Sequence, residues 1–291
     1  MRTSGTETSS RRQFLRYALW GGAALLGGRV LLSLFFERNW LTVYRVTVPL
    51  PNLPPALHGF TICQLSDLHR GPVVAEEHIR RAAAIAMSLN ADLIVVTGDF
   101  VSGAATNAPS CAAALSGLRA RYGVYGVLGN HDYWTQDVEA VADAVTRGGI
   151  QLLTNRAVRL NVQGVPWWLC GVDDVWAGEP SLDAALQYVP GGAFHILLCH
   201  EPDFADEAAK RRVPLQLSGH SHGGQVRLPL IGGPILPYLG RKYPMGLQRV
   251  KNSSTLVYTN VGVGCIIPPI RLNCRPEVTW MTLVAANMAT A

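Results

Sequence analysis

The sequence predicts an α/β sandwich, and three observations carry the prediction. From about Leu41 onward, short apolar runs alternate with helix-like stretches, the pattern of strands and helices stacked in layers. The chain has 291 residues, 48% hydrophobic and 15% charged, enough to bury a sizeable core and unlike a disordered polymer. No internal repeat and no long linker interrupts residues 41 to 285, which therefore read as one domain.

Ahead of that domain lies a segment of different character, residues 1–40. Ser10-Arg11-Arg12-Gln13-Phe14-Leu15-Arg16 precedes an apolar stretch from Tyr17 to Phe36, broken by Arg29 and by some Gly and Ser. Paired arginines, then Phe-Leu, then a weakly hydrophobic run resemble a twin-arginine export signal, an address read by the export machinery and not part of the fold. The plainer alternative is a membrane anchor, because about twenty residues suffice to span a bilayer if Arg29 snorkels. Arg2, Arg11, Arg12 and Arg16 precede the run, which puts the N-terminus in the cytoplasm and residues 41–291 on the extracytoplasmic side. No A-x-A cleavage site follows, so retention at the cytoplasmic membrane is expected. The net charge of +5 and pI near 9.0 partly reflect these arginines, so basicity gives no reason to expect nucleic acid.

Within the domain the elements follow in order. LTVYRVTV and FTICQLS read as strands, and VVAEEHIRRAAAIAMSLN as an amphipathic helix. DLIVVTGD and YGVYGVLGN are strands again, separated by the Ala-rich CAAALSGL. The helix-like VEAVADAVTRG follows, then the strand-like VRLNV, VPWWLCGV, FHILLCH and PLQLSGH. Cys63, Cys170 and Cys199 fall inside apolar strands, where a free thiol serves as a small core residue. Cys265 and Cys274 bracket a Pro-rich loop, and sequence alone does not fix whether they pair.

Polar residues cluster where these strands end. Asp67 and His69 follow FTICQLS, Asp99 follows DLIVVTG, and Asn130, His131 and Asp132 follow YGVYGVLG. His200 closes FHILLC, while His220 and His222 follow PLQLSG. Ligands bind at that edge of an α/β sheet because the loops leaving its strands converge there. In extended backbone, residues i and i+2 face one side, so Asp67 with His69, and His220 with His222, each approach a shared site. Asn130 and His131, being adjacent, point apart. Gly98, Gly129 and Gly219 each precede a polar residue and permit a sharp backbone course. Imidazoles with carboxylates and one amide suit borderline divalent ions such as Mn, Fe or Zn better than Ca. Seven such donors exceed one ion and fit a pair bridged by a carboxylate.

The ordered blocks SDLH, TGD, GNHD, LLCHEPD and SGHSHGG resemble the calcineurin-like metallophosphoesterase superfamily over residues 60 to 225. GHSHGGQVRLP, LPYLGRKYPMG and VGVGCIIPPIRLNCRPEVTWMTL are similar to its branch of membrane-linked or exported phosphodiesterases, some with twin-arginine leaders. That branch is in turn similar to enzymes of the UDP-2,3-diacylglucosamine hydrolase type. The resemblance implies a four-layer αββα sandwich. It assigns Asp67, His69, Asp99 and His222 to one ion and Asp99, Asn130, His200 and His220 to the other, with Asp99 as the bridge. It gives His131 the substrate phosphate and the leaving oxygen, and makes water activated between the ions the nucleophile toward phosphorus.

The expected activity is hydrolysis of a phosphodiester, cell-envelope or lipid-linked. Cleavage of the UDP-2,3-diacylglucosamine pyrophosphate is the alternative within that class, and a non-catalytic metal-binding scaffold is the alternative outside it. Phosphoprotein substrates are disfavoured, because Gly98-Asp99-Phe100-Val101-Ser102-Gly103 lacks the second Asp and the Arg of the GDxVDRG block of protein phosphatases. Arg70, beside His69, and Asp132, beside His131, are candidate substrate-binding residues. His58, His78 and His195 lie outside the blocks and read as structural. RLPLIGGPILPYLGRKYPMG reads either as a Pro-rich cover over the sheet edge or as a loop lying against a membrane surface.

Overall fold

The computed structural model describes residues 7–286. Its elements run α1 (Glu7–Phe35), β1 (Thr42–Leu50), β2 (Thr61–Leu65), α2 (Glu76–Ser88), β3 (Leu93–Thr97), α3 (Ala108–Leu115), β4 (Val124–Val127), α4 (Asn130–Tyr133), α5 (Val138–Arg147) and β5 (Gln151–Leu152). Then come β6 (Arg156–Val162), β7 (Val165–Gly171), α6 (Leu182–Leu186), β8 (His195–Leu198), α7 (Ala205–Lys210), β9 (Leu215–Ser218), β10 (Gly246–Arg249), β11 (Leu256–Thr259) and β12 (Glu277–Ala285). The strands form two six-stranded sheets, ordered β1-β12-β2-β3-β4-β5 and β10-β11-β9-β8-β7-β6.

The LIVVT run of β3 shows why four layers form. Its residues alternate between two apolar environments: Leu93 and Val95 face the second sheet, Ile94 and Val96 face helices. A strand buried on both faces needs no polar alternation, so it reads as continuous hydrophobicity. Between the sheets, Ile62, Val95, Met281 and Leu283 pack with Trp167, Leu169, Ile196 and Leu217. On the outer face of the first sheet, α2 presents Ile79, Ala82, Ala83 and Ala86, one stripe at helical spacing, beside Cys111 and Leu115 of α3 and Val141 and Val145 of α5. Across the second sheet, Cys170, Leu197 and Cys199 pack with Ala185 of α6 and Ala208 of α7. This is the αββα sandwich.

The strands β10, β11 and β12 are absent from the sequence reading of strand-like runs. The last of them is central: β12 lies between β1 and β2, parallel to the first and antiparallel to the second. Its alternation of Thr, Trp, Met and Leu was the available signal. All six cysteines are buried free thiols, including Cys265 and Cys274.

No helix among the described residues is long and apolar enough to cross a membrane. Arg11, Arg12, Arg16 and Arg29, with Gly21, Gly22, Gly27 and Gly28, dilute the hydrophobicity of α1. Arg2 lies outside the described residues. Phe14, Leu15, Tyr17, Leu19, Trp20 and Leu25 of α1 are exposed, and Arg29 ties the helix to Asn273 through a 2.6 Å hydrogen bond.

Candidate metal centre

Parallel pairing of β2, β3 and β4 brings their carboxyl ends to one edge, and β7, β8 and β9 do the same in the second sheet. The loops leaving both edges meet. Backbone bonds lace them together: Asp67 N donates to Gly98 O at 3.0 Å, His69 N to Asp99 O at 2.9 Å, and Gly219 N to His200 O at 2.9 Å.

The convergence does not arise from extended backbone, as the i, i+2 spacing suggests. Asp67, His69, Asp99, His220 and His222 all have left-handed backbone, with φ of 50°, 49°, 54°, 67° and 51°. Side chains rarely adopt that region, and such residues cluster at functional sites where the surroundings enforce them. The glycines, by contrast, mostly provide room. A Cβ on Gly219 would meet Ser66 Oγ and Asp67 Oδ2, and one on Gly129 would meet Asp99 Oδ1.

Asp67, His69, Asp99 and His222 are all buried, and each offers a donor atom within 4.8 Å of the others. His69 Nε2 lies 2.9 Å from His222 Nε2 and 3.4 Å from Asp99 Oδ2, while His222 Nε2 lies 3.2 Å from Asp67 Oδ1. On the other side of Asp99, His200 Nε2 lies 3.2 Å from Asp99 Oδ2, and His220 Nδ1 is 2.9 Å from Asn130 Oδ1. Asp99 thus faces His69 on one side and His200 on the other, and the His220–Asn130 pair stands beside His200, the two imidazole centroids 5.0 Å apart.

These donors fit divalent cations. His200 Nε2 is buried with no hydrogen-bond partner, while its Nδ1 is 2.6 Å from the Thr97 carbonyl. A carbonyl accepts only, so Nδ1 carries a proton, and Nε2, facing Asp99, is the atom a cation would take. His69 Nδ1 is likewise held by Ser102 Oγ at 2.6 Å, and His220 Nε2 by the Tyr238 carbonyl at 2.7 Å. Such outer partners set ring orientation in metal sites.

The electrostatics agree. Burial raises the pKa of Asp67, yet the imidazoles of His222, His69 and His200 outweigh it and hold the carboxyl below the usual range. Asp99 is likewise held low against burial by His200, His131 and His69. Burial pushes His220 down to about 4 and lowers His222 too, so both rings stay neutral and able to ligate. At His200 burial disfavours charge, but the Asp99 carboxylate raises the ring's pKa well above the ordinary imidazole value. A cation must displace that proton. Metal uptake is therefore expected to release about one proton per chain near neutral pH, with affinity rising as pH rises. Calorimetric titration of the metal-free protein with Mn in buffers of different ionisation enthalpy measures the release; none would exclude a charged His200.

Two expected contacts are corrected. Arg70 turns back on its own loop, Nη1 donating to the Gly71 and Val74 carbonyls at 2.8 and 3.3 Å, and is not brought to the donors. Asp132 is fully buried and accepts from Val101 N and Gly129 N at 3.1 and 3.0 Å, so it fixes the loop that carries Asn130 and cannot meet a substrate. Burial, then the Asp99 charge, raise its pKa to about 8. His131 is half-buried, with its ring edge-on to His69, centroids 4.7 Å apart. His78, His195 and His58 bond to backbone groups outside the site.

Several contributors escaped sequence reasoning. Ser102 had only its place in GDFVSG as a signal. Arg271, wholly buried, donates to the carbonyls of Val261, Gly262, Gly264 and Cys274, and its Nη2 lies 3.3 Å from His222 Nδ1. One charge inside the apolar PPIRLNC run was its signal, because arginine is buried only when paired. Asp174 and Glu201 are buried and accept from the amides of Val175, Trp176 and Ala177. They thereby set Trp176 against the His220 ring, centroids 5.8 Å apart.

Comparison with known proteins agrees with this geometry. The family described as calcineurin-like phosphoesterase matches residues 60–224. The uncharacterised metallophosphoesterase YkuE of Bacillus subtilis is 32% identical over 284 residues, covering 96% of this chain and 99% of that protein. Phosphodiesterase YaeI of Escherichia coli is 33% identical over 232 residues, 77% of this chain and 82% of its own. A transmembrane protein with a metallophosphoesterase domain from Bos taurus is 34% identical over 84% of this chain, which spans 57% of its length. With its buried Asp and His donors on an αββα scaffold, the chain belongs to the calcineurin-like phosphoesterases and is a metal-dependent phosphoesterase.

Proposed function

We propose that the chain hydrolyses phosphodiesters with two divalent ions, one held by Asp67, His69, Asp99 and His222, the other by Asp99, Asn130, His200 and His220. The observation that carries this reading is the position of Asp99, whose Oδ2 lies 3.4 Å from His69 Nε2 and 3.2 Å from His200 Nε2, between the two sets. Bound there, the ions supply Lewis acidity and water activated at neutral pH. The protein's own groups do the rest. Ser102, Thr97 and Tyr238 fix the ring orientations of His69, His200 and His220 before any substrate arrives. His131 presents its ring beside that centre, placed to donate to the phosphoryl group and to the departing oxygen. The name of the Escherichia coli relative supports a diester over a monoester.

Metal-depleted protein is expected to lose bis-p-nitrophenyl phosphate hydrolysis and to regain it when Mn, Fe or Zn is added. Inertness with two ions bound per chain would sink the reading in favour of a scaffold.

The substrate, in this proposal, is a lipid-linked or cell-envelope diester met at the outer face of the cytoplasmic membrane after twin-arginine export. Arg11, Arg12, Phe14 and Leu15 support the export step. Between Glu207 and Glu277 the chain has no acidic residue and carries ten Lys or Arg, while Leu230, Ile231, Ile235 and Tyr238 stand exposed in the same segment. Basic charge beside exposed apolar side chains suits an anionic lipid surface. Protease added to intact cells should digest the body, and Lys at positions 11 and 12 should protect it; equal protection in both would remove the export step.

A further inference from the structure

Beside the metal centre lies a cavity of about 470 Å³ whose lining differs in character from the centre itself. Pro72, Val73, Trp134, Ile266 and Ile267 form most of its wall, and it holds no Asp, Glu, Lys or Arg. Ser102 is its one hydroxyl, already engaged by His69 Nδ1 at 2.6 Å. A sugar or nucleobase would leave its own polar groups unpaired there, whereas an alkyl chain loses nothing and gains from leaving water. Ile267 is 79% exposed at this cavity, an apolar side chain with room for an apolar neighbour.

His69 and His131 also line the cavity, their rings edge-on with centroids 4.7 Å apart. One of these is an expected metal ligand and the other is the residue placed beside the departing oxygen, so the cavity opens on the leaving-group side of phosphorus. Trp134 of the cavity wall meets Trp176 edge-on, centroids 4.9 Å apart, and Trp176 in turn lies against His220 and Tyr238, centroids 5.8 and 5.7 Å apart.

We propose that this cavity binds the alkyl arm of an amphiphilic phosphodiester as its leaving group, an inference that rests on the phosphodiesterase reading above. In the reaction water adds to phosphorus and the phosphorus–oxygen bond to the alkyl arm breaks. Hydroxyl from water stays on the phosphoryl product, and its other proton reaches the alkyl oxygen by way of the His131 ring. The products are an apolar alcohol and a phosphomonoester of the polar arm.

Decyl methyl phosphate tests the direction, because both its leaving oxygens are primary alkoxides with little chemical bias between them. The expected products are decanol and methyl phosphate, in at least tenfold excess over methanol and decyl phosphate. Equal amounts, or the reverse, overturn the proposal. Binding gives a second readout that needs no turnover. Calorimetric affinity for n-alkyl phosphates should rise roughly fourfold per added methylene until the cavity is filled. In Val73→Ser and Ile267→Ser proteins of unchanged metal content that dependence should flatten. Methyl and decyl phosphate binding alike would overturn the assignment. Failure to hydrolyse any diester, bis-p-nitrophenyl phosphate included, would instead remove the phosphodiesterase reading, and the binding series would still decide the cavity.

Discussion

Asp99→Ala is expected to cost the protein both ions and at least about 10³ of kcat/KM, an effect of about 4 kcal/mol or more. Asp99 Oδ2 faces His69 and His200 from between the two donor sets, and its Oδ1 accepts from the His131 backbone N–H at 2.8 Å. Its removal therefore opens both sets at once and frees the loop that carries Asn130. It also removes the carboxylate that does most to raise the pKa of His200, leaving burial less opposed at that ring. Asp99→Asn keeps shape and loses charge, and should retain more ordered structure but still lose most metal. Metal analysis of the purified variants beside diester hydrolysis checks both. Wild-type metal content with wild-type turnover in Asp99→Ala would refute the shared carboxylate.

His131→Ala should separate chemistry from assembly. The bond from the residue 131 backbone to Asp99 survives the substitution, so the donor sets should stay in place and metal content should be unchanged. What goes is a half-buried ring beside the centre, and loss of a positioned acid or hydrogen-bond donor costs about 10²–10⁴ in turnover. Burial lowers the pKa of His131 against the opposing pull of Asp99, so the ring is neutral at pH 7 and donates through its single N–H. Its contribution should accordingly persist as pH rises above neutrality. Parallel loss of metal and turnover in this variant would make His131 a structural residue.

The fold and the donors were legible to different degrees, for physical reasons. The alternation of apolar runs and helical stripes exposed β2, β3, α2, β4, β8 and β9, because each is buried on at least one face by a regular period. The donors were legible because they sit just past the carboxyl ends of those strands. β12 was not, since its position between β1 and β2 depends on a chain return of more than two hundred residues, which local pattern cannot express. Arg70 and Asp132 were misjudged because adjacency to a ligand in sequence says nothing of where a side chain turns; Arg70 found carbonyls at hand, and Asp132 two unpaired amides. Ser102, Thr97, Tyr238 and Arg271 act through hydrogen bonds to rings on other loops, a relation only the folded chain contains.

The left-handed backbone at five of the donors reaches beyond the reaction. Each such residue gives up about 1 kcal/mol or more relative to relaxed geometry, and an unfolded chain holds none of them in place. Cations that favour only the assembled cage then act as folding partners by mass action. A chelator should thus behave as a mild denaturant of this protein, lowering its melting temperature by several degrees, and the purified enzyme's shelf life should track its ion supply as closely as its activity does.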